Sequence, residues 1–211
     1  MFVQEKQESN VPALGLYVHV PFCSTTCDFC AFYQERPSKK AFDEFFLGLR
    51  REFERFPGDR SFSTVFIGGG TPGLLSSGQL EHLCRIIRDA GLSDGCEWTV
   101  EVAPSEISRE KLDALAEGGV TRISLGVQTF SSDMMKSLGR DHKVEKVFSA
   151  YSMIREKAAF LVNLDLLFGA PGQTLDMWEF DLTTAAELEP DHLSTYCLTF
   201  EEDTALYAKL A

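Results

Sequence analysis

Apolar positions along the chain follow two alternating periods. Runs of strand length, rich in β-branched and aromatic residues, occur at 15–22 (GLYVHVPF), 63–70 (STVFIGGG), 97–104 (EWTVEVAP), 122–128 (RISLGVQ), 161–169 (LVNLDLLFG) and 192–200 (HLSTYCLTF). Between them the apolar spacing changes to three and four. Phe42, Phe45, Phe46, Leu49 and Phe53 mark a helix over 38–56, and Leu80, Leu83, Ile86 and Ile87 a second over 76–90. Ser108 is placed to cap a third, carrying Leu112 and Leu115, and residues 143–157 and 174–188 supply two more. Gly91, Gly118 and Gly119 fall where helices stop.

Strand, helix, strand, repeated through six units, predicts parallel pairing by right-handed crossovers. Eight units close a full barrel. Six predict an α/β fold, a partial (β/α)6 TIM-like barrel with the parallel sheet inside and helices outside. No Pro/Ser-rich linker interrupts the pattern, so one domain is expected over 14–211, after a polar segment at 1–13. The last residues, EEDTALYAKLA, stop inside a helical pattern without a cap, and the expectation is a chain cut at its carboxyl end. In such folds ligands gather at the C-terminal ends of the strands. The unusual residues fall at that rim: a cysteine-rich stretch after the first strand, GGGTP after the second, Glu101 in the third, Gln128 ending the fourth and Asp165 in the fifth.

Composition narrows the field. The net charge of −12 argues against a nucleic-acid backbone as the main partner, because phosphates are met by clustered Lys and Arg. No apolar run approaches the roughly 18 residues of a membrane span, and the polar N-terminus lacks the apolar core of a signal peptide. A cytoplasmic location is expected, where six cysteines read as ligands or small buried hydrophobes rather than disulfides. Cys84 and Cys197, in a helical and a strand-like run, read as core packing, and Cys96 has no assigned role.

Cys23, Cys27 and Cys30 remain, spaced C-x3-C-x2-C in PFCSTTCDFCAFYQ. A structural zinc site needs four ligands, with His19 the candidate fourth. An iron–sulfur cubane held by three thiolates keeps one iron open for a small molecule, by the logic that separates closed structural sites from open catalytic ones. On the residues alone both readings stand. In GGGTP, glycines let backbone approach a ligand closely, and no Lys-Ser/Thr follows to make a phosphate loop. Glu101 interrupts an apolar strand. Asp165, inside NLDLLFG, is a charge that is costly unless paired or used, and a structural pair with Arg140 is the plain alternative. Arg140 offers a fork to a carboxylate and Gln128 a hydrogen bond. His19 and His142 are each a candidate haem-iron ligand or an ordinary hydrogen-bonded histidine.

The cysteine spacing after the first barrel strand resembles the radical S-adenosylmethionine (SAM) superfamily. That resemblance implies a [4Fe–4S] cluster on Cys23, Cys27 and Cys30 whose open iron chelates SAM, which electron transfer cleaves to a 5′-deoxyadenosyl radical. YVHVPFC, VFIGGGTP, EVAP, RISLGVQTF, LGRDH, LDLLFGAPGQT and HLSTYCLTFEEDT, in this order, look like the oxygen-independent coproporphyrinogen oxidase family. The family places SAM against Tyr17, Phe29, Gly69, Gly70, Thr71, Glu101, Gln128, Arg140 and Asp165. Its decarboxylating enzymes carry C-x3-C-x2-C-x-C, whereas Phe32 fills the last position here, the pattern of the HemW-like branch. The resemblance therefore implies a haem chaperone, with haem or a porphyrin as ligand and haem-acceptor proteins as partners; homodimerisation stays open. Two alternatives remain, a coproporphyrinogen III dehydrogenase and a zinc-stabilised binding domain.

Overall fold

The computed structural model describes residues 14–55, 61–140 and 143–210. The polar N-terminal segment and His142 lie outside them. Six strands form one sheet in chain order: β1 (Leu14–Val20), β2 (Phe62–Gly69), β3 (Leu92–Val102), β4 (Arg122–Gln128), β5 (Leu161–Phe168) and β6 (His192–Cys197), every pair parallel. The helices are α1 (Lys39–Arg55), α2 (Ser77–Asp89), α3 (Arg109–Gly118), α4 (Ser132–Ser137), α5 (Val144–Lys157), α6 (Leu175–Glu187) and α7 (Ala205–Leu210). Among the described residues β1 and β6 each pair on one side only, an open sheet of the kind six units predict.

Local chemistry sets the boundaries. Ser76 and Gln79 form a capping box at the start of α2. The Ser108 hydroxyl accepts from Lys111 N–H to open α3, which Gly119 ends in the left-handed region at φ 98°. Alternate strand residues face opposite ways. On one face Val65, Ile67, Trp98, Val100, Ile123, Leu125, Val162 and Leu164 are buried with Leu80, Leu83, Leu112, Leu115, Val147 and Ile154 of the helices in one apolar core. On the other face stand Thr99, Glu101, Arg122, Ser124, Asn163, Asp165, His192 and Ser194, all of which line a cavity.

Several expectations change; β6, for one, ends at Cys197 rather than at 200. β1 stops at Val20 rather than at 22, because Glu35 N–H donates to Pro21 O and starts a loop. β3 begins at Leu92, five residues before the apolar run, since Leu92 already pairs with Phe62. Cys84 is fully buried, its thiol pushed up to about 12 by desolvation, but Cys197 is exposed rather than core. It ends an edge strand with a neighbour on one side only, and its residue lines the cavity.

Candidate functional site

The cysteine loop runs from Pro21 to Glu35 and is closed at its base. Phe22 bridges Glu35, and Cys23 N–H donates to Glu35 O at 3.3 Å. Further out, Asp28 N–H donates to Leu138 O at 3.1 Å, and Asp28 O accepts from Leu206 N–H of α7 at 2.7 Å. Phe29 packs beside Met134, Leu138, Leu167, Ala170, Leu198 and Leu206. The loop is thus held from β1, from the end of α4 and from α7.

Cys23, Cys27 and Cys30 all line the cavity, and each sulfur has a polar neighbour. Thr71 Oγ1 lies 3.7 Å from Cys23 Sγ, Gln34 Nε2 donates to Cys30 Sγ at 2.9 Å, and Arg140 Nη1 stands 4.0 Å from Cys27 Sγ. Burial pushes the Cys23 thiol up and the other two thiols add to it, while Thr71 and Arg140 act against them. Among the described residues no three His, Cys, Asp or Glu side chains converge to seat a single metal ion, which bears equally on a zinc site and on the three thiols. His19, the candidate fourth zinc ligand, is committed elsewhere: Nε2 lies 3.2 Å from Tyr33 O and Nδ1 3.3 Å from the Tyr17 hydroxyl.

The glycines after β2 approach protein, not only open space. A Cβ on Gly70 would stand 2.6 Å from Phe22 O and 3.0 Å from Cys23 Sγ, so the loop base lies directly on this backbone. Gly69 has φ 110°, and a Cβ there would meet the His19 ring at 2.5 Å. Gly69 N–H donates to Glu101 Oε2 at 3.1 Å. Burial raises the Glu101 carboxyl from an ordinary 4.5 to about 7, against the Gly69 hydrogen bond and with the Asp165 charge adding to it.

Asp165 is raised in the same direction by burial, opposed by hydroxyl and amide donors. Ser124 Oγ donates to it at 2.8 Å and Asn163 Nδ2 at 2.7 Å. Arg140 is not its ion-pair partner among the described residues; Arg140 Nη2 donates instead to Gly126 O at 2.8 Å. The Arg140 Nε is buried without a partner among the described residues. Gln128 sits beyond a register shift in β4 with φ 69°, and its Oε1 accepts from the Tyr196 hydroxyl.

Of the twelve residues assigned from sequence to the cluster and SAM, eleven line this one cavity and Tyr17 does not; His19 does not line it either. Tyr17 lies on the same face of the sheet, half-exposed and stacked on Phe66 at 6.1 Å. Sequence reasoning missed Arg122, Ser124, Asn163, His192, Ser194 and Tyr196. A signal was present: RISLGVQ, NLDLL and HLSTYC each carry polar residues at every second position, the mark of a strand covered on one face only.

The radical SAM superfamily model matches residues 17–184. The chain is 39% identical over 198 residues to the heme chaperone HemW of Bacillus subtilis (strain 168), covering 90% of this chain and 52% of that protein. It is 36% identical over 189 residues to HemW of Lactococcus lactis subsp. lactis (strain IL1403), covering 89% and 50%. The chain spans about half the length of the curated relatives it matches. Among solved structures, coproporphyrinogen III oxidase (HemN) from Escherichia coli, titled a radical SAM enzyme, superposes with a TM-score of 0.83 at 32% identity, over 94% of this chain and 46% of that one.

Proposed function

The chain belongs to the radical SAM superfamily, a family that implies a [4Fe–4S] cluster and SAM, and on that premise we propose that it acts in a haem chaperone, binding haem and passing it to acceptor proteins in the cytoplasm. The observation that carries this reading is the likeness to HemW along nine-tenths of the chain. Phe32 supports it. It stands where the decarboxylating enzymes of the family have a further cysteine, and it lies at the cavity wall, 69% exposed.

The residues fit the implied groups. Three sulfurs face one cavity, each beside a donor of the kind that anionic sulfur needs, and Arg140 Nε is buried without a partner among the described residues. Cys23, Cys27 and Cys30 hold the cluster in this reading. When bound, the cluster offers SAM an open iron and an electron. Arg140 takes the SAM carboxylate as a charge-assisted hydrogen bond. Glu101, which a neighbouring cation would drive toward its ionised form, takes the ammonium together with the backbone at Gly69, Gly70 and Thr71. Gln128, Asp165, Tyr17 and Phe29 complete the SAM surroundings. The cavity, about 1090 Å³, is slightly larger than ordinary ligand pockets of roughly 300–1,000 Å³.

The test is to reconstitute the cluster anaerobically, then supply haem in one sample and SAM with reductant and coproporphyrinogen III in another. The reading expects a haem absorption band saturating near one equivalent and a tetrapyrrole mass spectrum unchanged by turnover. A decarboxylated product would make the chain part of a coproporphyrinogen III dehydrogenase instead. Cys27→Ala is expected to lose the brown cluster chromophore; full iron and sulfide in that variant would overturn the ligand assignment.

A further inference from the structure

Below the residues assigned to cluster and SAM, the cavity has a floor that those groups leave unused. Charge is ordered along its depth. Strand register puts Arg122 beside Thr99 at the bottom, Ser124 beside Glu101 and Asn163 above it, and Gly126 beside Asp165 above that. His192 is level with Asn163. A cation therefore stands at the floor and two half-buried acids above it, Asp165 level with the Gly126 whose carbonyl accepts from Arg140. Arg122 and Gly126 are four strand residues apart, roughly 13 Å.

The floor has more donors than acceptors. His192 Nδ1 lies 2.5 Å from Arg122 Nη2 and 2.5 Å from Asn163 Oδ1. One ring nitrogen accepts from the guanidinium or donates to the amide, but does not do both. Asn163 Oδ1 already accepts from Ser194 Oγ at 3.1 Å. The Arg122 guanidinium carries five N–H donors, yet this contact with His192 is its single hydrogen bond among the described residues. The nearest acid, Glu97 Oε1, is 3.9 Å away on a side chain that is 54% exposed, a loose hold of little worth.

We propose that Arg122, with His192, forms a subsite for a ligand carboxylate, and that this carboxylate is a propionate of a tetrapyrrole. The ligand class rests on the haem-handling reading above; the carboxylate rests on the floor itself. Glu101 and Asp165 repel an anion from the middle of the cavity, so an acidic group is admitted at the floor and not beside them. Phe66, level with Arg122 across Thr99, and Leu167, beyond Asp165 in β5, both line the cavity and offer apolar surface to a macrocycle.

The experiment measures binding of iron protoporphyrin IX, its dimethyl ester, coproporphyrin III and its tetramethyl ester in one mild detergent. The wild type is expected to favour both free acids. Arg122→Gln is expected to weaken the acids about tenfold to a hundredfold and leave the esters unchanged, as loss of a charge-assisted hydrogen bond requires. Glu97→Gln, which removes the competing acid from an exposed position, is expected to tighten the acids about two- to fivefold. Arg122→Lys should recover part of the loss, which separates charge from folding. Haem bound without preference for the acid overturns the subsite and leaves the chaperone reading standing. Coproporphyrin bound through its acids while haem is refused overturns the chaperone reading and supports the subsite. No binding of either overturns both, and equal weakening of acid and ester by Arg122→Gln reduces Arg122 to a structural role.

Discussion

Glu101 was legible as an oddity because a carboxylate stood in WTVEVAP, but its behaviour comes from tertiary neighbours. Burial and the Asp165 charge move its carboxyl to about 7, so the folded chain holds this proton more tightly than the unfolded one. Stability from this group is present below about pH 4.5 and is lost as pH rises through 7, a change on the order of 3 kcal/mol in the ligand-free protein. Thermal midpoints across pH 5–8 should fall in the wild type and fall less in Glu101→Gln; parallel curves would refute the shifted ionisation. Asp181 was not legible at all, since DMWEFDL reads as an ordinary helix. It is fully buried, and its Oδ1 accepts from Phe130 N–H at 2.6 Å and from the Thr129 hydroxyl at 3.1 Å, just beyond Gln128. Asp181→Ala leaves both donors unpaired and is expected to cost about 2–3 kcal/mol in urea unfolding, whereas Asp181→Asn, which keeps an acceptor, should cost clearly less.

At the scale of elements, the six strand–helix units were readable because two periods of apolar spacing alternate along the chain and Ser and Gly punctuate them. Boundaries moved where hydrogen bonds invisible in the pattern decided them, as at Pro21–Glu35 and Leu92–Phe62. GGGTP was read as a backbone open to a ligand; the structure adds that the Gly70 backbone supports the base of the cysteine loop. A methyl group at position 70 would overlap Phe22 O and crowd Cys23 Sγ, so the loop must shift. Gly70→Ala is expected to lower iron and sulfide content after reconstitution and to destabilise the fold by about 1–3 kcal/mol, read from chemical analysis and urea unfolding. Full cluster occupancy in that variant would show that the loop tolerates displacement.

Across the whole molecule, segments far apart in sequence close around one loop. Leu206 N–H of α7 donates to Asp28 O, Lys209 pairs with the Asp28 carboxylate, and Leu206 is buried beside Met134 and Leu138. Ligand that orders the loop should therefore protect α7. Cluster loading is expected to slow hydrogen exchange of the Leu206 amide at least about tenfold, while amides of α3, remote from the loop, stay unchanged. Unaltered exchange at Leu206 would mean that α7 and the loop open independently. The sequence by itself determined the six-unit parallel architecture, the loop with three thiols and nearly all of the rim residues, because periodicity, caps and ligand spacing are local properties of the chain. Tertiary structure alone decided the cavity floor, the raised Glu101, the exposure of Cys197 and the partners of Asp165 and Arg140. Each depends on which strands lie side by side and which face the helices leave uncovered, and such distances are set between segments, not along them.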